Sequence, residues 1–443
     1  MNKIIFFLAS LIAAITFSSE ASALPLFARQ TGMECSACHF QHFPMLNNFG
    51  RAFKASGFTI IGAQGKVEGD NLSIPNTLNM AVLTTAGYTK TNAAGAGTPD
   101  GVRNPGDGTV YVPGTNGEFS LFVGGRVSDN IGALTELGML TEAGTGAGLA
   151  SAKLPMLWEV ADGTRAGVVP YTTNGQGASY GYEVLNTGAN AVHTMMFIGG
   201  DFNGSIAPIL SAQQYIGTGT QATGIAFVVN NPMGFINFTK FNQVGPSDLG
   251  GTSAAMTSTY IRVAGTFDLA GWDIGAGIQN WSGSSTLVTF ESSDPYTGAV
   301  TAGGVALTDT KAFAIDGQMQ GSLGSMPVGF YATYARAPAN TANGNMYNGG
   351  TDTRSSLNLA GELGVIPGKA TVGMALRRGK SGAAVGTATN ASDNAWLIEG
   401  TYKLAQNVLL SLTHTRQSGD FWDATNTAAI GSQQTTINLA TLF

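Results

Sequence analysis

The chain holds two cysteines, Cys35 and Cys38, and His39 follows the second directly. Two thiols at this spacing can add to the two vinyl groups of a porphyrin, and an imidazole fixed next to the second thiol is then carried beneath the iron. C-x-x-C-H is the attachment signature of c-type haem, whose potential is set by axial ligand type and burial. Three other readings compete. The thiols could close a small disulfide, which an exported chain permits. Cys35, Cys38, His39 and His42 could offer four metal ligands, although structural zinc sites usually place their two ligand pairs well apart on separate elements. The pentapeptide can also arise by coincidence. With haem as the favoured reading and His39 as proximal ligand, the distal ligand stays open. Met33, Met45 and Met80 are thioether candidates and His193 and His414 are imidazole candidates; most methionines are simply apolar filler, and five-coordinate iron is a further option. His42, on the same local segment as His39, reads as a polar partner near the porphyrin edge.

The elements that must position this motif begin with an export signal. Met1-Asn2-Lys3 is a positive start, Ile4 to Phe17 carries no charge, and Ala21-Ser22-Ala23 is a small-residue cleavage site, so residues 1–23 read as a secretory signal peptide. The apolar run is too short to cross a bilayer as a helix, and no later run is long enough. Charged residues make up 11% of the chain, against about 25% in ordinary soluble domains. Low charge with modest hydropathy suits a wall facing lipid on one side and water on the other.

From about Thr77 onward the chain reads as strand after strand. Ile261, Val263, Phe267 and Leu269 share one parity while Arg262, Thr266 and Asp268 share the other; Phe313, Ile315 and Met319 alternate likewise with Asp316, Gln318 and Gln320. This is the pattern of a transmembrane strand, apolar outside and polar inside. Thr435, Ile437, Leu439, Thr441 and the terminal Phe443 also fall on one strand face, which resembles the C-terminal signal of outer-membrane barrels. Tight turns are expected near 128–130, 201–204, 231–234, 270–271, 324–327, 367–368 and 405–407, separated by longer polar stretches near 90–117, 144–189, 217–221, 243–255, 284–309, 337–353, 381–393 and 417–433. Alternating short and long connections are those of an outer-membrane barrel. Counting back from Phe443 gives an all-β antiparallel barrel of about 16 strands, with 144–189 as an elaborated extracellular loop; that stretch contains strand-like pieces such as Leu154–Ala161 and Tyr180–Leu185, and reading it as two further strands gives 18.

Pro25-x-Phe27-Ala28-Arg29-Gln30-Thr31-Gly32, the Cys35–His39 motif, and Phe43-Pro44-x-Leu46-x-x-Phe49-Gly50-Arg51-x-Phe53-Lys54-x-x-Gly57-Phe58 together resemble the N-terminal segment of the fused monohaem cytochrome–porins of iron-oxidising bacteria. The resemblance implies residues 24–70 as a c-type cytochrome segment and 71–443 as an outer-membrane barrel, with Cys35, Cys38 and His39 inheriting the haem role. It also implies iron(II) oxidation: extracellular Fe(II) gives single electrons through one haem to a periplasmic carrier such as a soluble c-type cytochrome. Outer-membrane lipid is the other expected partner, and nucleic acid is not one. The rival reading is a porin-type diffusion channel with a structural or regulatory haem; a third is a conduit for another extracellular donor or acceptor. Residues 24–66 carry a net charge of +3 and residues 67–443 a net of −9. The segment is therefore expected to dock on an acidic lumen or rim, in or plugging the periplasmic side, with basic groups available to propionates. The lumen-facing acids Glu136, Glu142, Asp268, Asp273, Asp316 and Glu362 are candidates for attracting Fe(II).

Overall fold

The computed structural model describes residues 25–62, 64–92, 108–114, 116–139, 148–189, 211–246, 255–289, 292–293, 300–301, 304–339, 342–423 and 431–443. The expected signal peptide, His193, Glu142 and the expected turn at 201–204 lie outside them. Sixteen antiparallel wall strands close on themselves. The first five are β1 (Met80–Thr91), β2 (Phe119–Ser128), β3 (Ile131–Gly138), β4 in two pieces (Gly148–Lys153 and Met156–Ala161) and β5 (Thr164–Thr173). Then come β6 (Ala222–Asn231), β7 (Gly234–Asn242), β8 (Ser258–Leu269), β9 (Trp272–Ser282), β10 (Ala312–Leu323) and β11 (Met326–Ala337). The last are β12 (Arg354–Ile366), β13 (Ala370–Ser381), β14 (Ser392–Ala405), β15 (Val408–Ser418) and β16 (Gln433–Leu442). β16 pairs with β1 from Gln434 opposite Thr91 to Leu442 opposite Leu83. Closure leaves every wall strand paired on both sides, which a bilayer core demands because it offers no water to an open edge.

Alternation sets the two faces. Ile261, Val263, Phe267 and Leu269 are exposed on the outer surface, whereas Tyr260, Arg262 and Ala264 between them are buried in the lumen. In β10, Ile315 faces out and Asp316, Gln318 and Gln320 face in. No helix among the described residues is long and apolar enough to cross a membrane. Two-residue turns at Asp129–Asn130, Pro232–Met233, Ala270–Gly271, Gly324–Ser325 and Gln406–Asn407 join strand pairs at one end. Ala270 and Asn407 there adopt left-handed backbone, the conformation that tight turns between twisted strands favour.

The expected loop at 144–189 is corrected. It supplies two wall strands, β4 and β5, joined by a tight turn at Asp162–Gly163, and only the part beyond Thr173 leaves the wall. Pro155 divides β4 and Pro170 lies within β5; proline removes a ladder donor and demotes a run to non-strand in a sequence reading. The strand-like Tyr180–Leu185 is not wall at all. Residues 177–189, including a 3-10 turn at Ala178–Tyr180, lie buried inside the lumen, followed within the lumen by the helix Ala212–Tyr215. The stretch 217–221, expected as a connection between strands, links that helix to β6.

The N-terminal segment also occupies the lumen, at the short-turn end. It carries α1 (Pro25–Thr31), α2 (Cys35–Cys38) and α3 (Asn48–Ala55). An exposed hairpin, Lys66–Gly69 with Leu72–Pro75, then leads to β1. With both insertions present, wall side chains that would line a wet pore, Asn237, Arg262, Gln279 and Asn358, are fully buried.

Candidate functional site

Cys35–Cys38 forms a single helical turn, and His39 caps it with its backbone N–H donating to Cys35 O. The chain then reverses, so that His39 and Leu46 form an antiparallel bridge. This reversal brings the Met45 carbonyl to 3.1 Å from His39 Nδ1. A carbonyl only accepts, so Nδ1 carries the proton and Nε2 keeps its lone pair, the arrangement that second-shell bonds impose on ligating histidines. Low-polarity surroundings push the imidazole down to about 4, leaving a neutral ring. Cys35 and Cys38 are free thiols; burial raises both, Cys38 to about 11.

α3 holds this turn in place. Asn47 caps α3 by accepting from Gly50 N at 2.9 Å, and its side-chain amide donates to Ala37 O at 3.0 Å and Ser36 O at 3.2 Å. Gly50 lies so close to the turn that a Cβ there would stand 2.1 Å from Cys38 O. Gly50→Ala is expected to push α3 off the cysteine turn at a cost of about 1–3 kcal/mol, as overpacking does; thermal unfolding of the variant checks it. Gln30 closes the segment: fully buried, it donates to Phe58 O and Ile60 O at 2.7 Å each and accepts from Arg126 N at 2.9 Å. Phe58 is thereby held in left-handed backbone at φ 66°, its ring stacked on Phe27 at 5.1 Å.

Cys38, His39 and Met33 share one cavity between the segment and the wall, with about 1400 Å³ of atom-free space, part of it open to solvent. Phe27, Phe43, Phe53 and Phe58 from the segment, with Leu83, Phe122 and Leu134 from the wall, make it mainly apolar; Lys54, Glu118, Glu136, Lys153 and Tyr180 are its polar members. An apolar slot of this size, bordered by a thiol and an imidazole whose Nε2 is left unprotonated, fits a porphyrin. A zinc-type site does not fit: among the described residues no three His, Cys, Asp or Glu side chains gather around a point. His42 is turned away, its Nδ1 on Phe43 O at 3.0 Å and its Nε2 on Glu362 at 2.8 Å.

The distal candidates separate. Met33 lines the cavity. Met45 does not; it is fully buried against Tyr331 and Leu397 on another part of the wall. Met80 is exposed and outside the cavity lining, and what it gives the segment is a carbonyl for Arg29. His414 is corrected: its parity on β15 is that of Leu410 and Leu412, the outer face, where it bonds Thr435 Oγ1 at 2.8 Å and packs on Trp396. A side chain on that face cannot reach the lumen.

The lumen acids mostly anchor the insertions. Asp273 pairs with Arg51 of α3, and Glu362 with His42. Asp316 pairs with Arg262 and accepts from Thr187 at 2.7 Å, and Glu136 accepts from Ser151 at 3.1 Å; Asp268 is exposed beside a turn. The basic segment thus docks on wall carboxylates. The luminal loop meets it through Asn186, which donates to Leu46 O at 2.9 Å and accepts from Leu46 N at 2.8 Å. Burial alone would push His42 down, but the Glu362 carboxylate outweighs this and holds the imidazole up, at about 9. A raised pKa gives stability that is fully present below the unfolded value of about 6.5 and lost as pH rises through the folded one. Proteolysis of residues 25–62 is therefore expected to be faster near about pH 10 than near about pH 7, a difference that Glu362→Gln erases. Equal rates at the two pH values in the unaltered chain count against it.

Solved structures with a similar fold are outer-membrane porins. OprB of Pseudomonas putida has a TM-score of 0.50 at 11% identity, covering 82% of this chain and 94% of that one. An anion-selective porin from Comamonas acidovorans gives 0.45 at 13% identity, covering 83% and 99%. No protein-family profile and no curated protein matches the sequence. Fold and apolar outer face together define the class: a closed antiparallel β-barrel of the porin fold with an apolar exterior suited to lipid.

Proposed function

We propose that the chain is a fused monohaem cytochrome–porin that takes single electrons from extracellular Fe(II), oxidising it to Fe(III), and delivers them to a periplasmic carrier such as a soluble c-type cytochrome. The observation that carries this reading is the placement of Cys38, His39 and Met33 on one apolar cavity inside a lumen filled by two insertions. Cys38, on the cavity, and Cys35, one helical turn away outside its lining, would hold the haem by thioethers; His39 Nε2 would ligate its iron, and Met33, which lines the cavity, is the candidate for a second ligand. The haem supplies a one-electron centre whose potential follows axial ligation and burial. Phe27, Phe53 and Phe58 keep water from the cavity, and the Met45 carbonyl fixes the ring of His39. Short turns of outer-membrane barrels are periplasmic, which puts the segment within reach of a carrier there. A lumen occupied by two insertions leaves less room for passage of solutes, the property that separates this reading from a diffusion channel.

The test is purified full-length protein showing a c-type absorbance that Fe(II) reduces promptly near neutral pH. Ion conductance through the barrel without reduction of any haem by Fe(II) overturns the proposal in favour of the channel. Prompt reduction by other donors but not by Fe(II) overturns only the donor.

A further inference from the structure

Among the described residues, one buried lysine of the cavity has no carboxylate partner. Lys153, at the inner end of the first piece of β4, is 6% exposed. Its Nζ donates to Tyr180 O at 3.1 Å and sits over the Tyr180 ring at 4.2 Å and the Phe58 ring at 5.6 Å. No described carboxylate forms an ion pair with it. The two acids of the same cavity form no ion pair with it: Glu136 accepts from Ser151 at 3.1 Å, and Glu118 accepts from Ser120. Lys54 lines the same cavity, where burial pushes its ammonium down to about 7 against the pull of Glu183. A ring face and one carbonyl compensate an ammonium only in part. Removing an ammonium from water without an anion is strongly unfavourable, so an anion that entered the cavity beside Lys153 would stabilise its charged form.

We infer that Lys153, with Lys54 on the same cavity, binds the propionate carboxylates of the haem. This rests on the haem reading above and adds to it a residue from the barrel wall, which the charge division between segment and barrel did not point to. Of the basic groups in the segment, Arg51 is committed to Asp273, Arg29 to the Met80 carbonyl and Lys66 to Glu68. The wall thus takes part in holding the cofactor, and a cytochrome segment released from its barrel would lose a counter-ion.

The test uses full-length holoprotein with Lys153→Met and Lys153→Arg. Mass comes first: a wild type without haem overturns the cytochrome reading itself, before Lys153 is tested. With one haem present, Lys153→Met lowers the midpoint potential, because losing a nearby cation favours the more positive oxidised state. It also shifts the propionate carboxylate bands in redox-difference infrared spectra of protein carrying isotope-labelled haem, and Lys153→Arg retains the wild-type values. Potential and bands unchanged in Lys153→Met overturn the inference. So does a change of axial ligation in the visible spectrum, which would make Lys153 an iron ligand instead. Should Lys153→Met fail to assemble, wild type and Lys153→Arg decide: bands of ion-paired propionates in both support the inference, and bands of water-solvated propionates in both overturn it.

Discussion

Replacing Cys35 and Cys38 together by serine is expected to remove one haem from the mass of the mature chain and abolish its visible absorbance, while the barrel still assembles. The effect is all-or-none because in the proposed cytochrome the two thioethers would be the covalent attachment, and the sequence holds no other cysteine to substitute. The strand pairings that close the wall do not include them, and Cys35 Sγ accepts a weak 3.7 Å bond from Gln406. A segment of some forty residues is at the size where a covalent or metal staple is usually required. The serine variant should therefore also lose protease resistance across 25–62. His39→Ala is the finer cut, expected to abolish reduction by Fe(II) while leaving the barrel inserted. Mass spectrometry of the wild-type protein decides the matter: a polypeptide mass with nothing added refutes haem attachment outright.

Arg262→Met is expected to destabilise the protein by about 3–5 kcal/mol, the cost of leaving buried partner charges unpaired. Arg262 is fully buried between the luminal loop and the wall. Its Nε lies 3.0 Å from Glu183, and its guanidinium bonds Asp316, which also accepts from Gln279 at 2.9 Å and Thr187 at 2.7 Å. Glu183 belongs to the loop that fills the lumen, so the triad fastens that loop to β8 and β10. Losing the arginine strands two carboxylates, whereas Asp316→Asn retains several of the bonds and should cost less. Two measurements follow from the same geometry: unfolding of the detergent-solubilised barrel at lower temperature, and ion conductance in planar bilayers where the parent chain is closed. A variant with unaltered unfolding and no conductance would show that the triad does not anchor the plug.

The wall was legible because its rule is local. In β8, β10, β14 and β16 an alternation of period two assigns each side chain to lipid or lumen with no knowledge of any partner strand. The tight turns at 129–130, 270–271 and 406–407 carry residues suited to left-handed backbone. β4 and β5 escaped this rule, because Pro155 and Pro170 interrupt ladders that neighbouring strands nonetheless complete. Tyr180–Leu185 deceived in the opposite sense. Its apolar residues pack inside the lumen, where Tyr182 meets Phe235 and its carbonyl accepts from Asn237.

For the site, the sequence alone determined the motif Cys35–His39, since attachment needs two thiols and an imidazole at a fixed spacing along one short segment. It also determined a basic segment and an acidic barrel, because net charge is additive along a chain. Tertiary structure decided what those charges meet. Arg51 found Asp273 and His42 found Glu362, contacts that join residues more than two hundred positions apart, and Lys153 was brought from the wall to the ring of Phe58. It likewise took His414 out of contention as a ligand and left Met33 on the cavity. The physical reason is the same in each case. A local pattern fixes the face on which a side chain lies, but only closure of the barrel around its insertions fixes which side chains share one cavity.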